Sequence, residues 1–288
     1  MPIQTACEIL SISSLNWDTV KLSFTPEVHS KEDPVPGQFV QIKCSDDLTD
    51  STLRCPLSIA YHNMNSDSYH IIFEVKGPST KWLSARSIGD PIDVILPLGH
   101  GFTTESSTAE RILIVGGGLG TVPLLYTAAH ITEHTHIYTD ILFGFRSKSQ
   151  AFPFTTSYHS DGLPVVDCVN DCYIFPRRTH NPFGLPVIIC TNDNSAGYHG
   201  TVIDAILSPK TDIHIESYDQ ILACGPRPML KALAHLAHQH NVPCEVSLEE
   251  YFGCGTGVCL GCAIDTTKGK KRVCHDGPVF NSKEVFFS

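Results

Sequence analysis

Four cysteines near the C-terminus constrain this chain more than any other feature. The segment reads Cys254-Gly-Thr-Gly-Val-Cys259-Leu-Gly-Cys262, and Cys274 follows after eleven more residues. C-x4-C-x2-C…C is the ligand spacing of plant-type [2Fe–2S] centres. The reason is geometric, because three thiolates must come from one tight loop wrapped around the metal–sulfide core. Gly253, Gly255, Gly257 and Gly261 are expected to give that loop positive φ and bring amides close to sulfur. The fourth thiolate is expected from a following hairpin. A zinc site is the alternative for the same four residues, although zinc more often takes two separated C-x2-C pairs.

The chain has twelve cysteines in all. Cys7, Cys44, Cys55, Cys168, Cys172, Cys190, Cys224 and Cys244 are scattered and read as core or neutral thiols. A reducing compartment disfavours a disulfide framework. The start, MPIQTACEIL, lacks a basic region followed by an apolar one, so no secretory signal is expected. No apolar run approaches the roughly 20 residues of a membrane span. The expected compartment is the cytoplasm. A net charge of −10 argues against a nucleic-acid partner and against an anionic membrane surface. No H-E-x-x-H pattern, Ser-His-Asp signature or Walker A motif is present. His235, His238 and His240 read as a solvated helix end.

The pattern along the chain divides it into three. Residues 1–104 carry short alternating strands at 20–24, 39–43, 70–75 and 92–96, with one short helix at 80–86. Regular spacing and glycine punctuation predict a small antiparallel β barrel. Residues 105–241 change to strands alternating with helices, which predicts an α/β domain with a parallel sheet. Its strands are read at 111–115, 137–145 and 220–224, and its helices at 121–130 and 228–240. A stretch at 151–186, rich in Pro, Asn, Asp and Thr and carrying Arg177-Arg178, reads as a surface excursion. Residues 242–288 form a small lobe with the four cysteines.

Two glycine turns stand between strand and helix in the second region. Gly116-Gly117-Gly118-Leu119-Gly120-Thr121 departs from G-x-G-x-x-G at its last position. A diphosphate would rest there on helix N-terminal amides, and an ordinary tight turn is the alternative. Cys224-Gly225-Pro226-Arg227 is the second turn. Both lie at carboxyl ends of expected parallel strands, where together they would form one nucleotide cleft.

The order of these motifs resembles the ferredoxin–NADP reductase superfamily. R-C-P-L-S-I, P-L-G-H-G-F, V-G-G-G-L-G-T-V-P-L, C-G-P-R-P-M-L and the cysteine cluster follow the barrel in turn. Within it, the chain resembles the iron–sulfur, FAD-containing electron-transfer subunits of NAD-dependent dihydroorotate dehydrogenase. The ending from Ser247 through Cys254 to Val273-Cys274-His-Asp-Gly-Pro-Val-Phe280 carries the resemblance most specifically. The resemblance implies FAD contacts at Cys55-Pro56-Leu57-Ser58, with Arg54 beside them, at Ile72-Phe73-Glu74 and at Ser79-Thr80. It implies NAD contacts at Gly117, Gly118, Gly120, Thr121, Cys224, Gly225 and Pro226. Two positions depart from the pattern: Cys55 stands where an arginine is expected before the proline, and Ser79 replaces a glycine. His100 is expected near the flavin or the domain seam, and Arg146-Ser147 near the nicotinamide ribose.

The function implied is electron transfer in pyrimidine biosynthesis, between NAD(H), FAD, a [2Fe–2S] cluster and a separate FMN-containing catalytic subunit, in a heterotetramer. An NAD(P)H–ferredoxin oxidoreductase subunit with another partner is one alternative. A zinc-stabilised, non-enzymatic regulatory protein is the other.

Overall fold

The computed structural model describes residues 2–45, 53–104, 109–151 and 187–287. The excursion from residue 152 onward, with Cys168, Cys172, Arg177 and Arg178, lies outside the described residues.

The first region is a closed six-stranded barrel. Its strands are β1 (Ile3–Ser14), β2 (Thr19–Pro26), β3 (Phe39–Ile42), β4 (Cys55–Asn63), β5 (Ser68–Glu74) and β6 (Pro91–Leu98). They pair antiparallel in the order β1-β2-β5-β4-β3-β6, and β6 returns to β1. Strand alternation fills the interior: Leu22, Phe24, Ile42, Ile59 and Ile71 are wholly buried. Each such side chain contributes about 1.5–3 kcal/mol relative to exposure. Helix α1 (Pro78–Ser84) opens with proline in its first turn, where the missing N–H costs nothing, and drops Leu83 into the barrel core.

The second region begins with β7 (Arg111–Gly117), α2 (Thr121–His134) and β8 (Tyr138–Phe145). It continues with β9 (Val187–Thr191), β10 (Tyr198–His199), α3 (Val202–Leu207), β11 (Gln220–Cys224) and α4 (Arg227–Gln239). Successive residues of β7 serve opposite faces, as a sheet buried on both sides requires. Ile112 and Ile114 pack with Val122 and Leu124 of α2, while Leu113 and Val115 pack with Val202 of α3 and Leu230 of α4. Helix α2 also closes the barrel seam, where the Tyr126 hydroxyl donates to the Pro34 carbonyl at 2.6 Å.

The last region supplies β12 (Cys244–Ser247), the hairpin β13 (Ala263–Thr266) and β14 (Gly269–Arg272), α5 (Val273–Asp276), β15 (Val279–Asn281) and α6 (Ser282–Phe286). The large sheet runs β10-β9-β8-β7-β11-β12-β15, parallel from β10 to β12 with β15 antiparallel at the edge. Two strands of the 242–288 segment therefore complete the nucleotide-domain sheet. The lobe also touches the barrel. Gly99, at φ +78°, comes so near that a Cβ would sit 2.6 Å from Pro278 and 2.9 Å from Phe39. The His100 amide donates to the Gly277 carbonyl at 2.6 Å, which places His100 on the domain seam.

Candidate functional site

Strands β7 and β11 are neighbours, yet the chain leaves β7 toward β8 and returns to β11 from the far edge of the sheet. This reversal of winding opens a crevice at the carboxyl ends of the strands. Both glycine turns lie there and pack on each other. A Cβ on Gly120 would sit 2.5 Å from Cys224 backbone, and one on Gly225 2.9 Å from the Gly117 nitrogen. Gly118 has φ +56° and open space around it. A cavity of about 400 Å³ lies over the turns, lined by Gly117, Gly118, Leu119, Pro226 and Arg146 among others. Thr121 is buried, and its hydroxyl donates to the Gly118 carbonyl at 2.8 Å, bracing the turn.

A second cavity, of about 540 Å³, lies between barrel, sheet and C-terminal lobe. The barrel provides Cys55, Pro56, Leu57, Ser58, Ile72, Phe73 and Glu74, and the α1 region provides Ser79 and Thr80. Thr80 also fixes the approach to α1: its hydroxyl accepts from the amides of Lys76 and Gly77 at 3.0 and 3.2 Å. The α/β region contributes Leu119, Val122 and Cys224, and the lobe contributes residues 247–252. The two cavities share Glu74, Lys76, Leu119 and Glu249. Lys76 forms an ion pair with Glu74. Glu249 is exposed on the cleft, where the walls around its carboxylate remove part of its hydration. That partial desolvation pushes the carboxyl up, against the pull of Lys76 and with the push of Glu74.

Arg54 does not face this cavity. Its guanidinium donates to the Asp93 carboxylate at 2.8 Å and to the Asp93 carbonyl at 3.0 Å, on β6. Cys55 takes the inward place and meets the Cys44 thiol. The Cys44 thiol donates to the Ile42 carbonyl at 3.6 Å; its contact with Cys55 lowers the Cys55 thiol, while the same contact and burial raise Cys44. Asp140 is buried beneath Arg111 at 2.6 Å and Tyr218 at 2.8 Å.

The cysteine loop follows β12. The amides of Val258 and Cys259 donate to Cys254 Sγ at 3.2 and 3.4 Å, and that of Gly261 to Cys259 Sγ at 3.5 Å. The Cys274 amide donates to Cys262 Sγ at 3.4 Å. Burial opposes a Cys254 thiolate, but donation from Cys259 and Thr256 outweighs it and brings the thiol down to about 6. Burial and its Cys262 neighbour push Cys274 up to about 12. Cys254 contacts Cys259, and Cys262 contacts Cys274. Among the described residues no set of three or more metal-ligating side chains surrounds a single-ion position. The contacts Cys254–Cys259 and Cys262–Cys274 suit a two-iron core with two protein ligands on each iron, and Cys254 also acts electrostatically on Cys274. The expectation for the glycines needs one correction. Gly255 and Gly257 have positive φ (+69° and +83°), but Gly253 and Gly261 do not, and Leu260 adopts φ +59° in their stead.

Sequence reasoning missed several residues here. Glu249 and Lys76 sit where the cavities meet, and neither carries a motif. Arg272 ties the cysteine loop to the turn bearing Cys274. Its guanidinium donates to the Gly257 carbonyl at 3.1 Å and to Asp276 at 3.0 and 3.1 Å, and holds the Asp276 carboxyl well below the usual range.

Comparison with known proteins agrees with this geometry. Residues 249–286, which include all four clustered cysteines, match the family model for the iron–sulfur cluster binding domain of dihydroorotate dehydrogenase B. The dihydroorotate dehydrogenase B (NAD(+)) electron transfer subunit of Caldanaerobacter subterraneus is 34% identical over 88% of this chain and 88% of its own. That of Geobacillus kaustophilus is 35% identical over 87% of this chain and 86% of its own. Among solved structures, an NADH-dependent reduced ferredoxin–NADP oxidoreductase studied for electron bifurcation superposes with TM-score 0.75 at 27% identity, covering 96% of this chain and 88% of that one. A ferredoxin reductase of carbazole 1,9a-dioxygenase shares the fold at TM-score 0.62 and 19% identity, over 84% of this chain and 67% of that one. With a barrel, a switch-point crevice and a paired-cysteine loop in one molecule, and identity of this extent, the chain belongs to the family of electron transfer subunits of dihydroorotate dehydrogenase B (NAD(+)).

Proposed function

We propose that this chain passes electrons between NAD(H) and an FMN-containing dihydroorotate dehydrogenase catalytic subunit, within a cytoplasmic heterotetramer. FAD would occupy the larger cavity, NAD(H) the crevice over the glycine turns, and a [2Fe–2S] cluster the four cysteines. The observation that carries this reading is the shared wall of Glu74, Lys76, Leu119 and Glu249 between the two cavities. Ligands in the two spaces would lie side by side, as hydride passage between nicotinamide and flavin needs. Bound flavin supplies the conversion between a two-electron nicotinamide couple and a one-electron cluster.

The chain's own residues then have positioning tasks. Gly117, Gly118, Gly120 and Thr121 offer backbone at the N-terminus of α2 to a diphosphate, and Cys224, Gly225 and Pro226 close the opposite side. Pro56, Leu57 and Ile72 would shield an aromatic ring system from water, with the Phe73 ring held in the barrel core, and Ser58 and Thr80 would bring hydroxyls to it. Cys254, Cys259, Cys262 and Cys274 would hold the cluster.

The surface beside the cysteine loop supports a protein partner. Tyr251 is 94% exposed, Val258 80% and Leu260 63%, and Cys259 lies exposed among them. An apolar patch around a redox outlet is what a docking subunit would cover. Among the described residues no helix is long and apolar enough to cross a membrane.

The test is to purify the chain, then record its visible spectrum and its iron, zinc and flavin content. A flavin band with a broad red shoulder that bleaches with NADH is expected. A colourless protein with tightly held zinc rules the reading out in favour of the regulatory alternative. Stable co-purification with an FMN-containing dehydrogenase, and NADH-linked interconversion of dihydroorotate and orotate by the pair, is the expected partner result. Electron exchange with ferredoxin but not with that subunit would favour the ferredoxin oxidoreductase reading, to which the structural likeness at 27% identity gives some weight.

A further inference from the structure

We propose that the side-chain amide of Gln41, a barrel residue, donates a hydrogen bond to sulfur of the cluster and raises its reduction potential. The inference rests on the four cysteines being the cluster ligands.

Gln41 sits on β3, whose other residues show which way it points. Val40 and Ile42 belong to the barrel core, so Phe39 and Gln41 face outward. An outward glutamine on a barrel strand normally meets water. Here the C-terminal lobe covers the strand, and Gln41 is 0% exposed. Among the described residues, neither Nε2 nor Oε1, both buried, has a hydrogen-bond partner. A primary amide carries two donors and an acceptor, and a fold seldom buries all of them unused.

What the amide faces is specific. A Cβ on Gly255 would lie 2.3 Å from Gln41 Nε2, 2.4 Å from Cδ and 2.9 Å from Oε1. The amide therefore lies flat against the backbone of the residue that follows Cys254. Only glycine permits that approach, and the φ of +69° favours it too. Flavin is not the missing partner, because Phe39 lines the larger cavity and Gln41 does not. The loop that covers the amide carries Cys254 beside Gly255, and thiolate and cluster sulfide sulfurs would be the acceptors there. These carry negative charge, and N–H donation to them raises a cluster's potential. Strand β3 would thus touch both redox sites, the flavin cavity through Phe39 and the cluster through Gln41.

The experiment uses the holoprotein and the variant Gln41→Met, which keeps length and apolar fit but removes the donor. EPR-monitored redox titration reads the cluster midpoint directly. We expect it to fall by roughly ten-fold in the one-electron equilibrium, about 59 mV, with iron and sulfide content and the flavin couple unmoved. A merely structural glutamine predicts lost cluster or lost stability at an unchanged midpoint. A fully loaded variant with the wild-type potential overturns the proposal. Should the variant fail to retain its cluster, pulsed EPR on reduced wild-type protein, labelled with ¹⁵N at the glutamine side-chain amide, decides. A weak ¹⁵N coupling is expected, and its absence overturns the proposal. An iron-free wild-type protein overturns the cluster assignment as well, so the two failures are distinguishable.

Discussion

The barrel and the cysteine lobe solve the problem of staying folded in opposite ways. The barrel owns its core: residues from all six strands meet in one apolar cluster that closes on itself. The lobe has no such centre. Cys262, Ile264, Val273, Cys274, Phe280 and Val285 belong to the same cluster as Leu230, Leu233 and Val246 of the sheet and α4. Its matched domain, residues 249–286, lies in the size range where a chain usually needs a metal or a crosslink to hold its shape. Arg272 gives it an ionic clamp instead of a core. The barrel is thus a scaffold that ligands enter, whereas the lobe is a wrapping whose order depends on what it wraps and on the sheet it leans on.

The most severe test of that contrast is Cys274→Ser. Cys274 is 2% exposed and shares a contact with Cys262. We expect complete loss of cluster iron and of the red absorbance. Hydrogen exchange should then rise across 249–286 while the barrel amides stay protected. A lobe that loses iron yet keeps its protection would break the comparison, since it would have stability of its own. The converse change is Leu22→Ala in the barrel core, which should cost about 2–5 kcal/mol. Thermal unfolding monitored by flavin release should fall accordingly, with the EPR signal of the folded fraction unaltered. A changed cluster signal would mean that the barrel core and the lobe are coupled more tightly than their separate packing implies.

How legible each region was follows from the same physics. The cluster ligands were readable because thiolate chemistry fixes residue type and spacing. The glycine turns were readable because positive φ and close backbone approach leave few other choices, and their mutual packing at Gly120 and Gly225 follows from the parallel order. Strands with strong apolar alternation were readable too. Strand β1 escaped because its inward positions include Thr5 and Cys7, which weaken the period, and β4 because it opens on Cys55-Pro56. The φ of +59° at Leu260 was unreadable, since nothing marks a leucine for the left-handed region. Gln41 was unreadable for another reason. Alternation assigns an outward polar residue to water, and only tertiary packing shows that the lobe has replaced the water. Glu249 and Lys76 likewise matter through the space they share rather than through any local pattern.

The smallest predicted effect concerns the one place where the barrel departs from its family's pattern while the lobe keeps all its ligands. The arginine expected before Pro56 is Cys55, and Arg54 is already committed to Asp93 on the outer face. Among the described residues the flavin cavity is lined by Glu74, Glu249 and Glu250 against Lys76, with Arg227 paired to Glu250 at 2.9 Å. A flavin pyrophosphate there would meet more negative charge than positive. Cys55→Arg should restore a charge-assisted contact of about 1.5–3 kcal/mol, tightening FAD by roughly ten- to a hundred-fold. Titration of flavin-free protein with FAD, followed by fluorescence quenching, measures it, and the gain should shrink as salt is raised. Arg54→Ala should leave FAD affinity almost unchanged, because that guanidinium faces β6 and not the cavity. If instead Cys55→Arg binds no tighter while Arg54→Ala weakens binding, the barrel must rearrange on loading to swing Arg54 inward. The scaffold would then be no more rigid than the lobe, and the contrast between them would fail at the flavin edge.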